Sequence, residues 1–197
     1  MGLRSLLRHQ RRQQVLSVAA PQLQETHLRN CQVIAERHTL LEHLPKRAIV
    51  AEVGVAYGDF SREILARTQP KELHLIDLEQ RWADRFADRG DQVRNHLGDS
   101  SEQLAKFPDG YFDWIYMDAD HRYEMVKRDT DVAKRKVKPR GLLVFNDYTI
   151  YDAFLSQPYG VPKTVHELCR EENWEMTHLA LEATGFFDVV LRRMEAA

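Results

Sequence analysis

The chain has 197 residues, 43% of them apolar and 29% charged, with a formal net charge of −2. That length holds one α/β domain with a full core, and the near-zero charge leaves no nucleic-acid footprint. Two cysteines, Cys31 and Cys169, are too few for a disulfide framework and fit a reduced, cytoplasmic setting. No apolar run approaches the roughly 20 residues of a membrane span, and the N-terminus lacks the apolar region of a signal peptide.

Residues 1–47 carry 8 Lys/Arg against 3 Asp/Glu, while the rest carries 20 against 27, so the basic part is the N-terminal extension. It reads as two polar helices divided at Pro21. Leu3, Leu6, Leu7, Val15, Leu16 and Val18 are the apolar points of the first, and Leu28, Val33, Ile34, Leu40 and Leu41 those of the second. Such helices serve as a solvated cap, pair two subunits in a homodimer, or lie on a membrane surface. From residue 48 onward strands and helices alternate, which predicts a second unit, 48–197, with a mostly parallel sheet covered on both faces. Strands are expected over 48–53, 72–76, 92–97, 112–117 and 141–145. Helices are expected over 59–67, through Trp82 and Phe86, and over 101–106, 122–136 and 163–172. A loop over 148–161 holds Tyr148, Tyr151, Phe154 and Tyr159, which either wall an acceptor site or fill the core beneath the loop. A terminal hairpin, 174–181 with 186–192, brings the sheet to seven strands.

The first strand runs into Gly54-Val55-Ala56-Tyr57-Gly58 and then a helix. Glycines let backbone amides approach a ligand, and the helix start adds a favourable dipole. Asp77 follows 19 residues after Gly58, the usual distance for a carboxylate that holds ribose hydroxyls. The spacing is Gly-x-x-x-Gly rather than the fingerprint that cradles a pyrophosphate. The expected ligand therefore has one ribose and no pyrophosphate, and S-adenosylmethionine (SAM) leads. Ligands of open parallel sheets bind at the strand carboxyl ends. Those ends carry Glu52 and Gly54, Asp77, Asp99 and Ser100, Asp118-Ala119-Asp120-His121, and Asn146-Asp147. Each is also a good helix cap, so capping stands beside ligand binding for Ser100 and Asp120. Asp118, Asn146 and Asp147, from neighbouring strands, offer hard oxygen ligands suited to Mg²⁺ or a similar cation. His121, three residues on, is either a general base near neutral pH or a first-turn residue with a structural hydrogen bond.

These residues resemble a class I SAM-dependent methyltransferase of Rossmann-like fold, with Glu52-Val53-Gly54 through Gly58 in the place of its first motif. Within that superfamily the chain is similar to the metal-dependent O-methyltransferases of the catechol O-methyltransferase type. It is more similar still to the bacterial branch of macrocin O-methyltransferase-like and cephalosporin hydroxylase-like proteins. The stretches that carry the likeness are 112–124, 141–148 and 160–165, within a region of about 48–193. The resemblance implies that Glu52, Gly54, Tyr57 and Gly58 line the methionine end of SAM. Asp77 would hold the ribose, Asp99 and Ser100 would meet the adenine, and Asp118, Asn146 and Asp147 would hold the metal, with Asp118 also beside the cofactor. His121 falls where the catechol enzymes carry a catalytic lysine, and the acid–amide pair appears as Asn146-Asp147, the reverse of their order.

The expected activity is methyl transfer from SAM to a hydroxyl of a small molecule, metal-assisted, with His121 as base. Two other readings remain open: a metal-independent small-molecule methyltransferase, and a SAM-binding or partner-binding protein without turnover.

Overall fold

A computed structural model of the chain describes residues 3–195. The side chains at 3–8 and 10, which include Leu3, Leu6 and Leu7, lie outside the described set. The elements run α1 (Leu3–Ser17), β1 (Gln32–Ile34), α2 (Arg37–His43), β2 (Ile49–Val53), α3 (Asp59–Thr68) and β3 (Glu72–Asp77). An irregular 3-10 stretch (Ala83–Gln92) leads to β4 (Val93–Leu97), α4 (Ser100–Ala105), β5 (Phe112–Met117), α5 (Tyr123–Lys136) and β6 (Val137–Phe145). A small hairpin, β7 (Tyr151–Asp152) with β8 (Gln157–Pro158), precedes α6 (Val161–Glu172), β9 (Trp174–Ala180) and β10 (Asp188–Arg193).

The sheet has eight strands in the order β1-β9-β10-β6-β5-β2-β3-β4. β10 is antiparallel to both β9 and β6, and the other neighbours are parallel. This is the Rossmann-like methyltransferase architecture with a C-terminal antiparallel pair. The eighth strand is β1. Residues 32–34, expected in a helix, instead extend the sheet beside β9, pairing Val33 with Leu179. A β-branched pair at the sheet margin gains cross-strand contacts that outweigh a weak helical pattern. The second helix of the extension begins only at Arg37, where the Glu36 side chain caps it by accepting from the Thr39 amide at 2.9 Å.

Side chains alternate across the sheet, as its pleat demands. On β5 and β6, Ile115, Met117, Leu143 and Phe145 face α5 and α6, with Val165, Leu168 and Trp174 beyond. Trp114, Tyr116 and Val144 face the other way, into a second layer with Ile64, Leu73 and Leu75. Leu40, Leu41 and Leu44 of the extension belong to that second layer and are almost fully buried. Residues 32–44 are thus built into the domain core. Among the described residues no helix is long and apolar enough to cross a membrane.

Candidate functional site

A cleft of 490 Å³ opens at the carboxyl ends of β2 to β5, within the range of roughly 300–1,000 Å³ usual for small-molecule sites. Glu52, Gly54, Tyr57 and Asp77 line it, as do Asp99, Ser100 and Asp118 across from them. The structure therefore brings together seven of the eight residues expected at the cofactor. Gly58 stands outside the wall and starts α3 in the left-handed region at φ +76°. A Cβ there would lie 2.9 Å from the Phe86 ring. Gly54 sits at φ +87°, and a Cβ on it would lie 2.1 Å from the Asp118 carbonyl oxygen. Both glycines thus answer to packing. Gly54 lets the ends of β2 and β5 close on each other, while its amide donates to the Ile76 carbonyl at 2.9 Å.

The acids of the cleft each carry a second duty. Asp77 Oδ2 accepts from the amides of Val55 (2.7 Å) and Ala56 (3.0 Å), which pins the glycine loop against β3. An ionised carboxylate offers about four acceptor positions, so Asp77 retains capacity for a ribose hydroxyl. Asp99 caps α4 through the amides of Ser101 and Glu102, and its Oδ2 accepts from Arg128 at 2.7 Å. The Ser100 hydroxyl donates to Asp129. Capping is thus real for Asp99, without removing it from the cleft wall. Glu52 is buried, accepts from the Ser61 hydroxyl, and faces no cation in hydrogen-bond or ion-pair contact. Burial pushes its carboxyl up to about 8, against the Ser61 hydrogen bond, and the neighbouring Asp118 raises it further. A buried acid at the cleft floor gains charge when a cation arrives beside it, and the sulfonium and ammonium groups of SAM are such cations.

At the acceptor end the arrangement differs from expectation. His121 Nε2 lies 3.5 Å from Asp118 Oδ1 and 3.4 Å from Asp147 Oδ2, a charge pairing without hydrogen-bond geometry. Its ring stacks on Tyr159, with centroids 4.6 Å apart. Burial opposes its charge, but Asp118, Asp147 and Asp120 outweigh that and hold its pKa above the usual value. The raised pKa favours the charged ring between its two acids. His121 stands behind Asp118, outside the cleft wall, so Asp118 rather than His121 borders the cleft.

The side chains of the expected metal set, Asp118, Asn146 and Asp147, are each engaged with other groups. The Asn146 amide is turned inward and donates to Asp188 Oδ1 at 2.9 Å. Among the described residues no three His, Cys, Asp or Glu side chains converge as metal ligands would. A guanidinium occupies the neighbourhood instead. Arg37 Nη2 donates to the Tyr116 hydroxyl at 2.6 Å and lies 3.8 Å from Asp118, while its Nε lies 3.8 Å from Asp188.

Arg37, Phe60, Tyr116 and Asp188 form this cluster, and none was among the expected site residues. Tyr116 reads from its strand position as core, and Arg37 belongs to the extension. Only Asp188 left a trace, as a lone acid opening an apolar strand. Of the aromatic residues over 148–161, Tyr159 is buried against His121, whereas Phe154 stands 82% exposed at the tip of the β7–β8 hairpin. Tyr148 packs inward and pairs with His166.

Asp188 is fully buried, and burial pushes its carboxyl up to about 6, partly offset by Arg37, Tyr116 and Asn146. The folded chain therefore keeps a proton that the unfolded chain releases, between an ordinary value of 3.8 and about 6. Stability falls as pH rises through that window, by about 3 kcal/mol at most from this group. Urea unfolding at pH 4.5 and pH 7 is expected to show this loss, and Asp188→Asn is expected to shrink it.

Fold and cleft are those of an open, mostly parallel sheet with a ligand-sized, acid-lined cleft at its strand ends. Residues 51–148, just under half of the chain, match the family model described as a methyltransferase domain. That stretch is thus similar to a methyltransferase domain. No curated protein matches it. Among solved structures, the 1,6-didemethyltoxoflavin-N1-methyltransferase of Burkholderia thailandensis, with 1,6-didemethyltoxoflavin and S-adenosylhomocysteine bound, is similar at TM-score 0.62. It is 15% identical, with 80% of this chain and 76% of that chain covered. The ribosomal protein L11 methylase of Lactobacillus delbrueckii subsp. bulgaricus is similar at TM-score 0.59 and 18% identity, with 80% and 77% covered. The M1A22 tRNA methyltransferase of B. subtilis reaches TM-score 0.60 at 13% identity, with 82% and 67% covered. These act on different acceptors, so the likeness is one of fold.

Proposed function

We propose that the protein is a SAM-dependent methyltransferase acting on a hydroxyl of a small molecule. The observation that carries this reading is Asp118. It stands at the cleft wall between two basic groups, Arg37 on one oxygen and His121 on the other. SAM supplies a sulfonium methyl that is already reactive. The protein must then align an acceptor oxygen and remove its proton, and alignment alone is worth about 7–11 kcal/mol. Asp118 holds the acceptor hydroxyl and takes its proton as the oxygen–carbon bond forms and the sulfur–carbon bond breaks. His121 behind it, itself held by Asp147, orients Asp118.

Asp147 supports this arrangement in two ways. It sits at φ +55°, an unusual backbone position for a non-glycine residue and one that clusters at functional sites. Burial, with help from Asp118 and Asp152, pushes its carboxyl up to about 6, against the pull of His121 and Arg37. Below that pH Asp147 becomes neutral and no longer holds His121 from its far side, so His121 is less firmly placed behind Asp118. The ratio kcat/KM is expected to fall as pH drops through about 6, and the Asp147→Asn variant is expected to lose that limb of the profile.

The direct test incubates the purified protein with methyl-labelled SAM and a panel of phenols, sugars and amines. Label on hydroxyl oxygens supports the reading. Label confined to amine nitrogens would redirect it, and label on no acceptor would favour a SAM-binding protein without turnover.

A further inference from the structure

We propose that Arg37 is the built-in cation of the acceptor end, holding the acids there in the way that a divalent ion would. Three carboxylates meet in this corner from three strands: Asp118 after β5, Asp147 after β6 and Asp188 at the start of β10. Crowded acids repel one another strongly where water is scarce, so such a cluster requires a counter-charge. His121 supplies one between Asp118 and Asp147. The opposite side of Asp118, and the whole of Asp188, look to Arg37.

The geometry around Arg37 is that of a fitted part. Its Cζ lies 4.1 Å over the Phe60 ring, a cation–π contact that favours a guanidinium over a compact ammonium. Nη2 donates to the Tyr116 hydroxyl, which in turn donates to Asp188 Oδ2 at 2.7 Å. One guanidinium thereby reaches Asp188 twice, directly at 3.8 Å and through Tyr116. The backbone amide of Arg37 donates to Glu182 Oε1 at 3.1 Å, and β1, three residues upstream, pairs with β9. These two ties fix the N-terminal segment so that α2 starts beside the cleft. Arg37 itself lies outside the matched stretch of 51–148. The cation is thus delivered by this chain's own extension.

Arg37 acts on the acceptor through Asp118 and is a positioning residue. Removing it leaves Asp118, Asp147 and Asp188 partly uncompensated, so that a small cation such as Mn²⁺ can draw their oxygens together, which they do not do with Arg37 in place. The test reads Mn²⁺ binding by electron paramagnetic resonance and by the shift in Tm, without any turnover. The wild-type protein is expected to bind no Mn²⁺ here, so that chelators leave its Tm and its SAM affinity unchanged. Arg37→Ala is expected to gain one Mn²⁺ site, roughly tenfold or more tighter than any in the wild type, with Tm rising as Mn²⁺ is added. Adding Asp188→Asn to that variant is expected to weaken the new site. Arg37→Lys, which keeps the charge, is expected to behave as the wild type. Tight one-to-one Mn²⁺ binding by the wild type, lost in Asp118→Asn, would overturn the proposal, and that titration decides the matter even if Arg37→Ala does not fold. A folded Arg37→Ala that gains no Mn²⁺ site would overturn it equally. The inference rests on the methyltransferase reading only for what the corner is used for. Failure of methyl transfer leaves the Mn²⁺ result standing, and the reverse.

Discussion

Gly54→Ala is expected to abolish SAM binding and to cost the fold several kcal/mol. Two separate penalties meet at this position. A residue with a Cβ at φ +87° is strained by about 1–3 kcal/mol. The added methyl would also stand 2.1 Å from the Asp118 carbonyl oxygen and 2.6 Å from Ala119 Cα, both backbone atoms that cannot swing aside. Overpacking of that kind adds about 1–3 kcal/mol. Against a typical total stability of about 5–15 kcal/mol the sum is severe. Relief comes only by parting β2 from β5, which displaces Asp118 and opens the cleft floor. Gly185→Ala separates the two penalties, because Gly185 has a similar φ of +84° but open space around its Cβ. It is expected to lose only the backbone part and to keep SAM affinity. Urea unfolding and calorimetric titration of both variants check this.

Asp118→Asn is expected to lower turnover by about 10²–10⁴-fold, the usual worth of a positioned acid–base group. The amide keeps the shape and can still touch Arg37, but it cannot take the acceptor's proton. SAM affinity should change far less, because Glu52 and Asp77 remain. A variant that turned over at the wild-type rate would remove Asp118 from the chemistry.

Much of this site was legible in the residues. Strand, glycine turn, helix and Asp77 at 19 residues' distance define the cofactor end, because backbone geometry and sequence spacing are local properties. The strand-end acids were legible for the same reason. What they do beyond that was less so. Asp99 and Asp77 each combine a cleft position with a structural bond, and a sequence shows only the residue type. The acceptor end was the least legible part, because a contact that shapes it is long-range. Arg37 and Asp118 are 81 positions apart, and nothing in the pattern around Arg37 marks it as more than one of several basic residues of the extension. Without it, three oxygen-bearing residues look like a metal site. The same distance effect hid β1, whose partner β9 lies almost at the other end of the chain. His121 was seen as titratable, but the sign of its shift depends on Asp147 from a neighbouring strand.

Titration calorimetry of SAM into the purified protein asks directly whether the cleft is a SAM site. One-to-one, micromolar binding is expected. Proton release near pH 7 that approaches one equivalent is expected with it, read from the dependence of the heat on buffer, as Glu52 gives up its proton to face a cation. No detectable binding would contradict it: the glycine loop would then be a strand-to-helix turn that serves packing alone.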